Sequence, residues 1–410
     1  MKETSRRKRF MKLFRIALIV LCSVILVLGG TISLLLHGYI NKINIVTGKR
    51  EINEIISDEE GAVALEQGSS AKGEIARAAE LGDNHTYSFS GPSGFPASTD
   101  ASALSTGTAD PEVSNSEKTI SEEDAAIAAY LESIKKNIDT QNIDIEDSKV
   151  WNILLIGSDS RDADSRGRSD SMILITLNKE AKEITATSFL RDIYLKIPGK
   201  GENRLNAAYA YGGAELLLDT LKLNFKIEVD EYVKVDFFAF IDIIDALGGL
   251  TMDVSQEELE VMNFYIGELN SLLSEEKGKD TIDKAGTYKL NGKQVLAYSR
   301  NRYTKNGDFD RTDRQRKILQ SLVNKVYSLN PIELNKLLNT ILPQITTNIT
   351  EGEILLQLFS MPSYTEYKIN QFCIPVKDSY ANRRIRGMEV LCIDFKDNRD
   401  QLNRQLYHIE

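Results

Sequence analysis

Histidine, cysteine and tryptophan are scarce in this chain of 410 residues, which contains three His, three Cys and one Trp. The histidines, His37, His85 and His408, are far apart in the sequence. A Ser-His-Asp hydrolase needs a histidine beside its nucleophile, and a zinc site of the common type needs several His or Cys ligands together. We therefore expect neither kind of site.

A surplus of positive charge is also lacking, since the net charge is -10 and the pI is about 5.2. A protein that coats nucleic acid carries a basic face and a high pI, so we expect no nucleic-acid partner. The charge is uneven, at about +9 in residues 1–50 and about -15 in residues 51–150. The apolar content of 42% is enough to build a core, which excludes wholesale disorder.

The N-terminus carries most of the positive charge, with seven Lys or Arg and one Glu in residues 1–15. Residues 16–36 follow without a charge and are long enough to span a bilayer as a helix. The alternative is a cleaved signal peptide, but its apolar region is shorter and ends in a small-residue cleavage site. We predict a cytoplasmic tail at 1–15 and a single-pass anchor at 16–36. Because the basic flank stays in the cytoplasm, the remainder would lie outside the plasma membrane.

Residues 37–150 are predicted to be a linker. Between residues 66 and 120 the sequence is rich in Gly, Ser, Ala, Thr and Asp, a composition that buries too little apolar surface to offset the entropy of ordering. Two short helices are expected within it, at 71–81 and 122–138, the second capped by Ser121. A spacer would let a folded domain work near the membrane, and a binding segment is the alternative.

The folded domain is predicted to span residues 151–410. Apolar runs rich in β-branched residues predict three early strands and two late ones: Trp151–Gly157, Ser171–Asn178, Glu183–Leu190, Gln371–Val376 and Met388–Asp394. Helical patterns lie between them. Strands that are apolar on both faces belong to layered architectures. We therefore predict a single α/β domain with a mixed central sheet between helices.

The first unusual stretch of this domain is the loop SDSRDADSRGRSD, from Ser158 to Asp170. Asp159 follows one apolar strand and Asp170 precedes the next, so a hairpin would bring both carboxylates to one edge of the sheet. Mg²⁺ favours one or two acidic ligands together with water and phosphate oxygens. The pair could hold this ion, and a solvated hairpin tip is the alternative.

The second unusual stretch contains Arg300 and Arg302 and continues into a predicted helix at Gly307–Leu329. The helix has an apolar stripe, which helical spacing extends backwards to Gln315 and Arg311. Helix starts and guanidinium groups both bind phosphate, so we expect a captured phosphate here. The alternative is a structural network of ion pairs with the neighbouring aspartates.

Six segments together resemble the motifs of the LytR-CpsA-Psr family. In chain order they are GSDSRDADSRGRSDSMILITLN, SFLRD, RLNAAYAYGG, FFAFIDIIDALGGLTMDV, LNGKQVLAYSRNRY and GDFDRTDRQ. They occur in the family's order and cover about residues 151–325. Six linked motifs are a specific signal, and an anchor followed by an extracellular domain also fits.

The resemblance implies a phosphotransferase that moves an anionic glycan from a polyprenyl-pyrophosphate carrier to peptidoglycan in a Gram-positive bacterium. The glycan would be wall teichoic acid, capsule or a similar wall polymer. Asp159 and Asp170 would bind Mg²⁺ or Mn²⁺. The residues that would bind the phosphates and carry the catalysis are Arg191, Arg300, Arg302, Arg311 and Gln315.

Two positions depart from the family pattern. The segment Ser188–Asp192 reads SFLRD where the family usually has SIPRD, so the backbone before Arg191 is expected to be less rigid. Arg316 occupies a position where Gln is common, although that position turns away from the buried stripe.

Other questions stay open at this stage. Asp192 and Asp308 are both possible general bases, and Cys373 and Cys392 are either two free thiols or a disulfide. A polyprenyl-pyrophosphate hydrolase that uses the same site is an alternative function. A non-catalytic membrane-anchored regulator is another, although about 15 cytoplasmic residues are too few for a DNA-binding domain.

Overall fold

The computed structural model describes residues 37–46, 121–140, 150–160, 166–229 and 231–408. The predicted anchor at 16–36, the predicted helix at 71–81 and most of the predicted linker lie outside these residues. Within the described ranges, no helix combines the length and the apolar character needed to cross a bilayer.

Strands and helices alternate along most of the described chain. The strands are β1 (Asn44–Ile45), β2 (Val150–Ser158), β3 (Ser169–Asn178), β4 (Glu183–Phe189), β5 (Tyr194–Ile197), β6 (Gly201–Arg204), β7 (Glu231–Asp236), β8 (Leu250–Val254), β9 (Gly286–Leu290), β10 (Thr346–Thr347), β11 (Lys368–Ile374), β12 (Tyr380–Ile385) and β13 (Met388–Ile393). The helices are α1 (Glu122–Asp139), α2 (Leu205–Phe225), α3 (Phe237–Ala246), α4 (Gln256–Leu272), α5 (Gly292–Arg300), α6 (Asp308–Tyr327), α7 (Pro331–Ile341), α8 (Glu351–Ser360) and α9 (Phe395–Tyr407). Helix α2 is kinked at Gly213, whose backbone has φ 73 and ψ -156.

Seven strands form one sheet in the order β1-β10-β7-β2-β3-β4-β11. At its centre, β2 is parallel to β7 and antiparallel to β3. Near one edge, β11 is parallel to β4. The pairs β5–β6, β8–β9 and β12–β13 are separate hairpins. The prediction of an α/β fold with a mixed central sheet is thus confirmed.

The two faces of the sheet are covered differently. Helices α1, α2 and α9 close a core on one face, where Leu154, Ile156 and Leu174 are buried. Helices α3, α4, α5 and α6 form a second hydrophobic cluster with the β8–β9 hairpin. Leu155 and Val233, on the sheet face towards this second cluster, are only half-buried because they border a cavity. The sheet therefore packs against a closed core on one face and borders an open cavity on the other.

The folded unit begins before Trp151. Helix α1 starts where the sequence predicts, since Ser121 caps it by accepting a hydrogen bond from the Asp124 N–H at 3.1 Å. Tyr130 and Ile134 lie one turn apart on α1 and are buried in the core with α2 and α9. Their apolar stripe stabilises α1 by tertiary packing, so this helix is part of the domain although it lies within the predicted linker.

Residues near the predicted membrane anchor also join the sheet. Asn44 donates its backbone N–H to the Ile345 carbonyl at 3.1 Å, and Val46 donates to the Thr347 carbonyl at 2.8 Å. These bonds place β1 at the edge of the sheet beside β10. The chain therefore contributes to the same sheet both before and after residues 47–120.

The two cysteines of the C-terminal region are free thiols. Cys373 lies in β11, which pairs with β4, whereas Cys392 lies in β13, which pairs with β12. A cross-strand disulfide needs the two strands to be neighbours, and these two are not.

Candidate active site

Asp170 is placed by an irregularity in the β2–β3 pair. Gly157 pairs with Ser171 and Ser158 pairs with Ser169, so Asp170 is an extra residue with no opposite number in β2. Such a bulge bends its strand and redirects the side chain of the extra residue. The carboxylate of Asp170 lines the cavity beside the sheet.

Arg191 comes from the neighbouring strand, two residues after the end of β4. Its Nη1 donates to Asp170 Oδ1 at 2.5 Å, and its Nε lies 3.6 Å from Asp192 Oδ2. Burial by itself raises the pKa of Asp170, but the charges of Arg191, Arg311 and Arg300 hold that pKa below its ordinary value. The dependence on three arginines shows that these charges lie close together.

The first turn of α6 carries a buried ion pair. Arg311 is only 3% exposed, and its Nη2 donates to Asp308 Oδ2 at 2.9 Å. The Nε of Arg311 and the Oδ1 of Asp308 are buried and have no hydrogen-bond partner. Buried polar atoms are normally paired, so both atoms retain bonding capacity for a ligand. One turn further along, Gln315 Oε1 accepts a hydrogen bond from Ser171 Oγ at 3.1 Å.

Asp308 differs from Asp170 in its protonation behaviour. Burial raises the pKa of Asp308 although Arg311 and Arg191 lower it, and the nearby carboxylates of Asp192 and Asp170 raise it further. A carboxyl group of raised pKa binds a proton more strongly than an ordinary one, which suits it to accept a proton during a reaction. The pKa values of Asp170 and Asp308 are thus shifted in opposite directions.

Arg300 ends α5 and is held by aromatic rings. Its guanidinium carbon lies 4.6 Å from the centre of the Tyr265 ring and 5.4 Å from that of Phe237, and its Nη1 is 3.4 Å from Glu268 Oε2. These contacts fix the orientation of the cation. Arg302 is exposed, lines the same cavity and forms no ion pair within the described part of the chain.

The cavity between the sheet and helices α3 to α6 has a volume of about 990 Å³. The polar part of its wall contains six of the seven site residues predicted from the sequence: Asp170, Arg191, Arg300, Arg302, Arg311 and Gln315. Most of the remaining wall is apolar and comes from the sheet and from the facing helices, including Leu155, Val233, Val235, Phe237, Phe240, Ile243, Phe264, Leu296, Ile318 and Leu322. The arrangement can hold a molecule that has a long apolar part and an anionic group.

Asp159, the seventh predicted residue, is close by but is not part of the cavity wall. Ser158 and Ser169 form the last residue pair between β2 and β3. Asp159 directly follows Ser158 and Asp170 directly follows Ser169, so both aspartates lie next to this pair. The Asp159 carboxylate accepts a hydrogen bond from the Arg168 N–H. Gly167 has φ 64, and a Cβ at this position would lie 2.5 Å from Asp159 Oδ1. The backbone therefore forms a close cradle around this carboxylate.

These two carboxylates fit a magnesium site that is completed by substrate. Mg²⁺ is usually held by one or two carboxylates together with water and phosphate oxygens. Among the residues that the structure describes, no group of three or more His, Cys, Asp or Glu side chains is close enough to bind a metal on its own. Asp159 and Asp170 are the carboxylates that could hold such an ion.

Arg316 is buried on a side of α6 other than the apolar stripe. It turns away from the buried stripe of α6, as the spacing predicts, but it is only 7% exposed, and its Nη1 donates to Ser188 Oγ at 2.6 Å. Its Nε donates to Gln371 Oε1 at 3.3 Å. Ser188 begins the segment that leads to Arg191, so the two places that depart from the family pattern contact each other. The apolar stripe of α6 gave no sign of this contact, because β4 and β11 lie against another side of the helix.

Similarity to known proteins agrees with this geometry. The chain is 33% identical to TagV of Bacillus subtilis (strain 168), a polyisoprenyl-teichoic acid–peptidoglycan teichoic acid transferase, over 64% of this chain and 66% of that protein. It is 35% identical to the TagU transferase of Enterococcus faecalis over 49% of this chain and 61% of that protein. The matches thus span about one half to two thirds of the curated relatives.

Solved structures show the same fold. Protein gbs0355 of Streptococcus agalactiae is 30% identical, with a TM-score of 0.52 over 64% of this chain and 89% of that one. TagT bound to LI-WTA is 24% identical, with a TM-score of 0.51 over 66% of this chain and 94% of that one. The family-wide sequence pattern matches residues 112–406. The chain therefore belongs to the LytR_cpsA_psr family.

Proposed function

We propose that this protein transfers an anionic glycan from a polyprenyl-pyrophosphate carrier to a hydroxyl group of peptidoglycan, forming a phosphodiester. The observation that carries the proposal is the apolar cavity of about 990 Å³ whose polar wall groups Arg191, Arg300, Arg302 and Arg311. An apolar cavity with a few convergent polar groups is the usual form of a small-molecule site. Guanidinium forks match phosphate oxygens and stay charged at physiological pH.

The arginines are fixed before substrate binds. Asp170 orients Arg191, Asp308 orients Arg311, and two aromatic rings hold Arg300. Phosphoryl transfer depends mainly on positioning and on positive charge placed where negative charge develops. In this site the acceptor oxygen would attack the phosphorus on the glycan side, and polyprenyl phosphate would leave with its charge held by the arginines.

We assign the general base to Asp308. Both oxygens of Asp192 lie near arginines, with Oδ1 accepting from Arg204 Nη1 at 3.3 Å and Oδ2 3.6 Å from Arg191 Nε. Asp308 keeps one oxygen without a partner, and burial raises its pKa. It can therefore accept the proton of the attacking hydroxyl while Arg311 holds its other oxygen.

A divalent cation is part of the proposal. Asp159 and Asp170 would hold Mg²⁺ or Mn²⁺ together with substrate phosphate oxygens. Such an ion supplies positive charge that stabilises the leaving phosphate. The Gly167 backbone keeps the Asp159 carboxylate in place for this role.

We further propose that the domain works on the outer surface of the plasma membrane of a Gram-positive bacterium. The apolar residues 16–36 with their basic flank support an anchor whose N-terminus is cytoplasmic. Asn44 pairs with Thr346 only a few residues after that anchor, so the sheet would be held near the bilayer. This position suits a donor whose polyprenyl chain resides in the membrane.

The test is an assay with the full-length protein in detergent, a lipid-linked glycan and peptidoglycan oligomers. The expected product is a covalent glycan–peptidoglycan conjugate that carries a phosphodiester, together with polyprenyl phosphate. Release of glycan phosphate without a conjugate would show a hydrolase instead. Full transfer by Asp308→Asn would contradict the assigned base.

A further inference from the structure

A second cavity, of about 910 Å³, lies between helices α1 and α9 and the β12–β13 hairpin. It shares no residue with the wall of the active-site cavity. Its volume falls in the range of sites for small ligands. No step of the proposed transfer uses it.

The wall of this cavity contains basic side chains without acidic partners. Lys136, Arg383 and Arg399 line it, and none of them forms an ion pair with another described residue. Their sequence neighbours outside the cavity behave differently, since Lys135 pairs with Glu132 and Arg384 with Glu389. The Nε of Arg399 is buried without a hydrogen-bond partner. Three basic side chains of this wall thus have no ion pair within the described part of the chain.

The wall also contains three aspartates, Asp378, Asp394 and Asp400, against five basic residues, so the basic residues are in excess. Asp400 is paired with Lys396 at 2.6 Å, and the Asp394 side chain caps α9 by accepting from the Asp397 N–H at 2.9 Å. A further basic residue, Lys226, is already used, because its Nζ donates to the Ile138 carbonyl at the end of α1. The free positive charge of the cavity therefore comes from Lys136, Arg383 and Arg399.

Hydrogen-bond acceptors face the same space. Asn137 and Asn403 line the cavity and are 4% and 5% exposed, and the Oδ1 atom of each is buried without a partner. Buried amides are normally hydrogen-bonded. Arginine and lysine donate to anionic oxygens, whereas amide oxygens accept from hydroxyl groups. The combination matches a ligand that carries both an anionic group and hydroxyls.

The cavity adjoins the active site. The Tyr380 ring, which lines the cavity, packs against the Phe309 ring with their centres 5.3 Å apart. Phe309 follows Asp308 in the first turn of α6. In the same hairpin, the Leu391 N–H donates to the Asp192 carbonyl at 2.9 Å. The wall of this cavity and its hairpin therefore contact the residues next to Asp308 and Arg191.

We infer that this second cavity binds an anionic sugar unit. Its phosphate or carboxylate group contacts Arg383, Arg399 and Lys136, and its hydroxyls donate to Asn137 and Asn403. The inference rests on the proposed function only for the source of this ligand, because the anionic glycan that is transferred contains such sugar units. A glycan unit held here would orient the chain that extends from the pyrophosphate.

The test measures hydrogen–deuterium exchange of α9 and the β12–β13 hairpin in the full-length protein. The probes are N-acetylglucosamine 1-phosphate, glucuronate, N-acetylglucosamine and inorganic phosphate. Both anionic sugars are expected to protect these segments from exchange. The neutral sugar and inorganic phosphate are expected to bind with a Kd at least about tenfold higher. The Arg383→Gln/Arg399→Gln variant should raise the Kd of the sugar phosphate by about tenfold or more. Arg384→Gln, on the neighbouring position of β12, is the matched control and should leave it unchanged.

Three outcomes would overturn the inference. These are no protection by either anionic sugar, equal protection by inorganic phosphate, or equal loss of binding in Arg384→Gln and in the double variant. Protection without any transfer activity would uphold this site and count against the proposed function. Transfer activity without protection would uphold the proposed function and count against this site.

Discussion

Replacement of Arg311 by Gln separates the structural role of this arginine from its chemical role. The Arg311–Asp308 pair is buried, and removing one partner of such a pair costs about 3–5 kcal/mol. Because the Asp308 side chain keeps 17% of its surface exposed, we expect the lower end of that range, about 3 kcal/mol. At about 2–4 °C per kcal/mol for a domain of this size, the expected fall in Tm is roughly 6–12 °C.

The transfer rate is expected to fall by a factor of about 10²–10³, the usual cost of removing one preorganised group that stabilises developing negative charge. Asp308→Asn/Arg311→Gln removes both charges and should recover most of the lost stability, since a neutral pair leaves no buried unpaired charge. It should recover none of the activity. Arg384→Gln is the control for both measurements, because Arg384 is exposed and pairs only with Glu389.

The assays are thermal unfolding and the initial rate of conjugate formation. Wild-type kcat/KM for Arg311→Gln would refute the placement of a phosphate at this helix. Recovery of activity together with stability in the double variant would show that Arg311 serves only the fold.

Three further predictions concern the carboxylates. The kcat/KM of the wild type should rise with pH through the raised pKa of Asp308, because the base must be ionised, and Asp308→Asn should show no such rise over pH 4–8. Gly167→Ala should weaken the apparent affinity for Mg²⁺ by about tenfold or more, because its Cβ would crowd Asp159, whereas Gly199→Ala, with φ 65 and open space, should not. Asp170→Asn should lower the urea midpoint at pH 7, and the difference from the wild type should shrink as the pH falls below about 3.9, because the stability from a carboxylate of lowered pKa is complete above that pH and is lost as the pH falls through the lowered value.

Much of the central sheet was predictable because each strand carries its own signal. The apolar, β-branched runs at 151–157, 171–178 and 183–190 are strands in the structure, with ends shifted by at most two residues. The stripe of α6 placed Arg311 and Gln315 on the side of the helix that faces the cavity. Helical periodicity therefore predicted the side of α6 on which these two residues lie, whereas Arg191 was expected only from the resemblance to the family.

Pairings between distant segments were not predictable. Strands β1 and β10 are only two residues long, and they pair with each other although they lie about 300 residues apart in the sequence. Nothing in such short segments distinguishes a strand from a loop. Helix α1 itself was predicted, but its packing against α2 and α9 was not, because those partners lie far away in the sequence.

Local irregularities were also hidden. The bulge that redirects Asp170 depends on the register between β2 and β3, which the loop sequence does not state. Arg316 turns inward because Ser188 and Gln371 offer partners at the sheet edge. A charged residue next to an apolar stripe is predicted to be exposed to solvent unless those partners are known.

The most direct test of the central claim is the identity of the lipid that copurifies with the full-length protein, measured by mass spectrometry after organic extraction. The account predicts polyprenyl pyrophosphate, or its glycan-linked form, in the wild type. Val235→Trp, which would fill the apolar cavity, should lose this lipid, while Ile369→Trp on the exposed edge strand β11 should retain it. A polyprenyl lipid that is equally abundant in both variants, or absent from all of them, would contradict the assignment of the cavity.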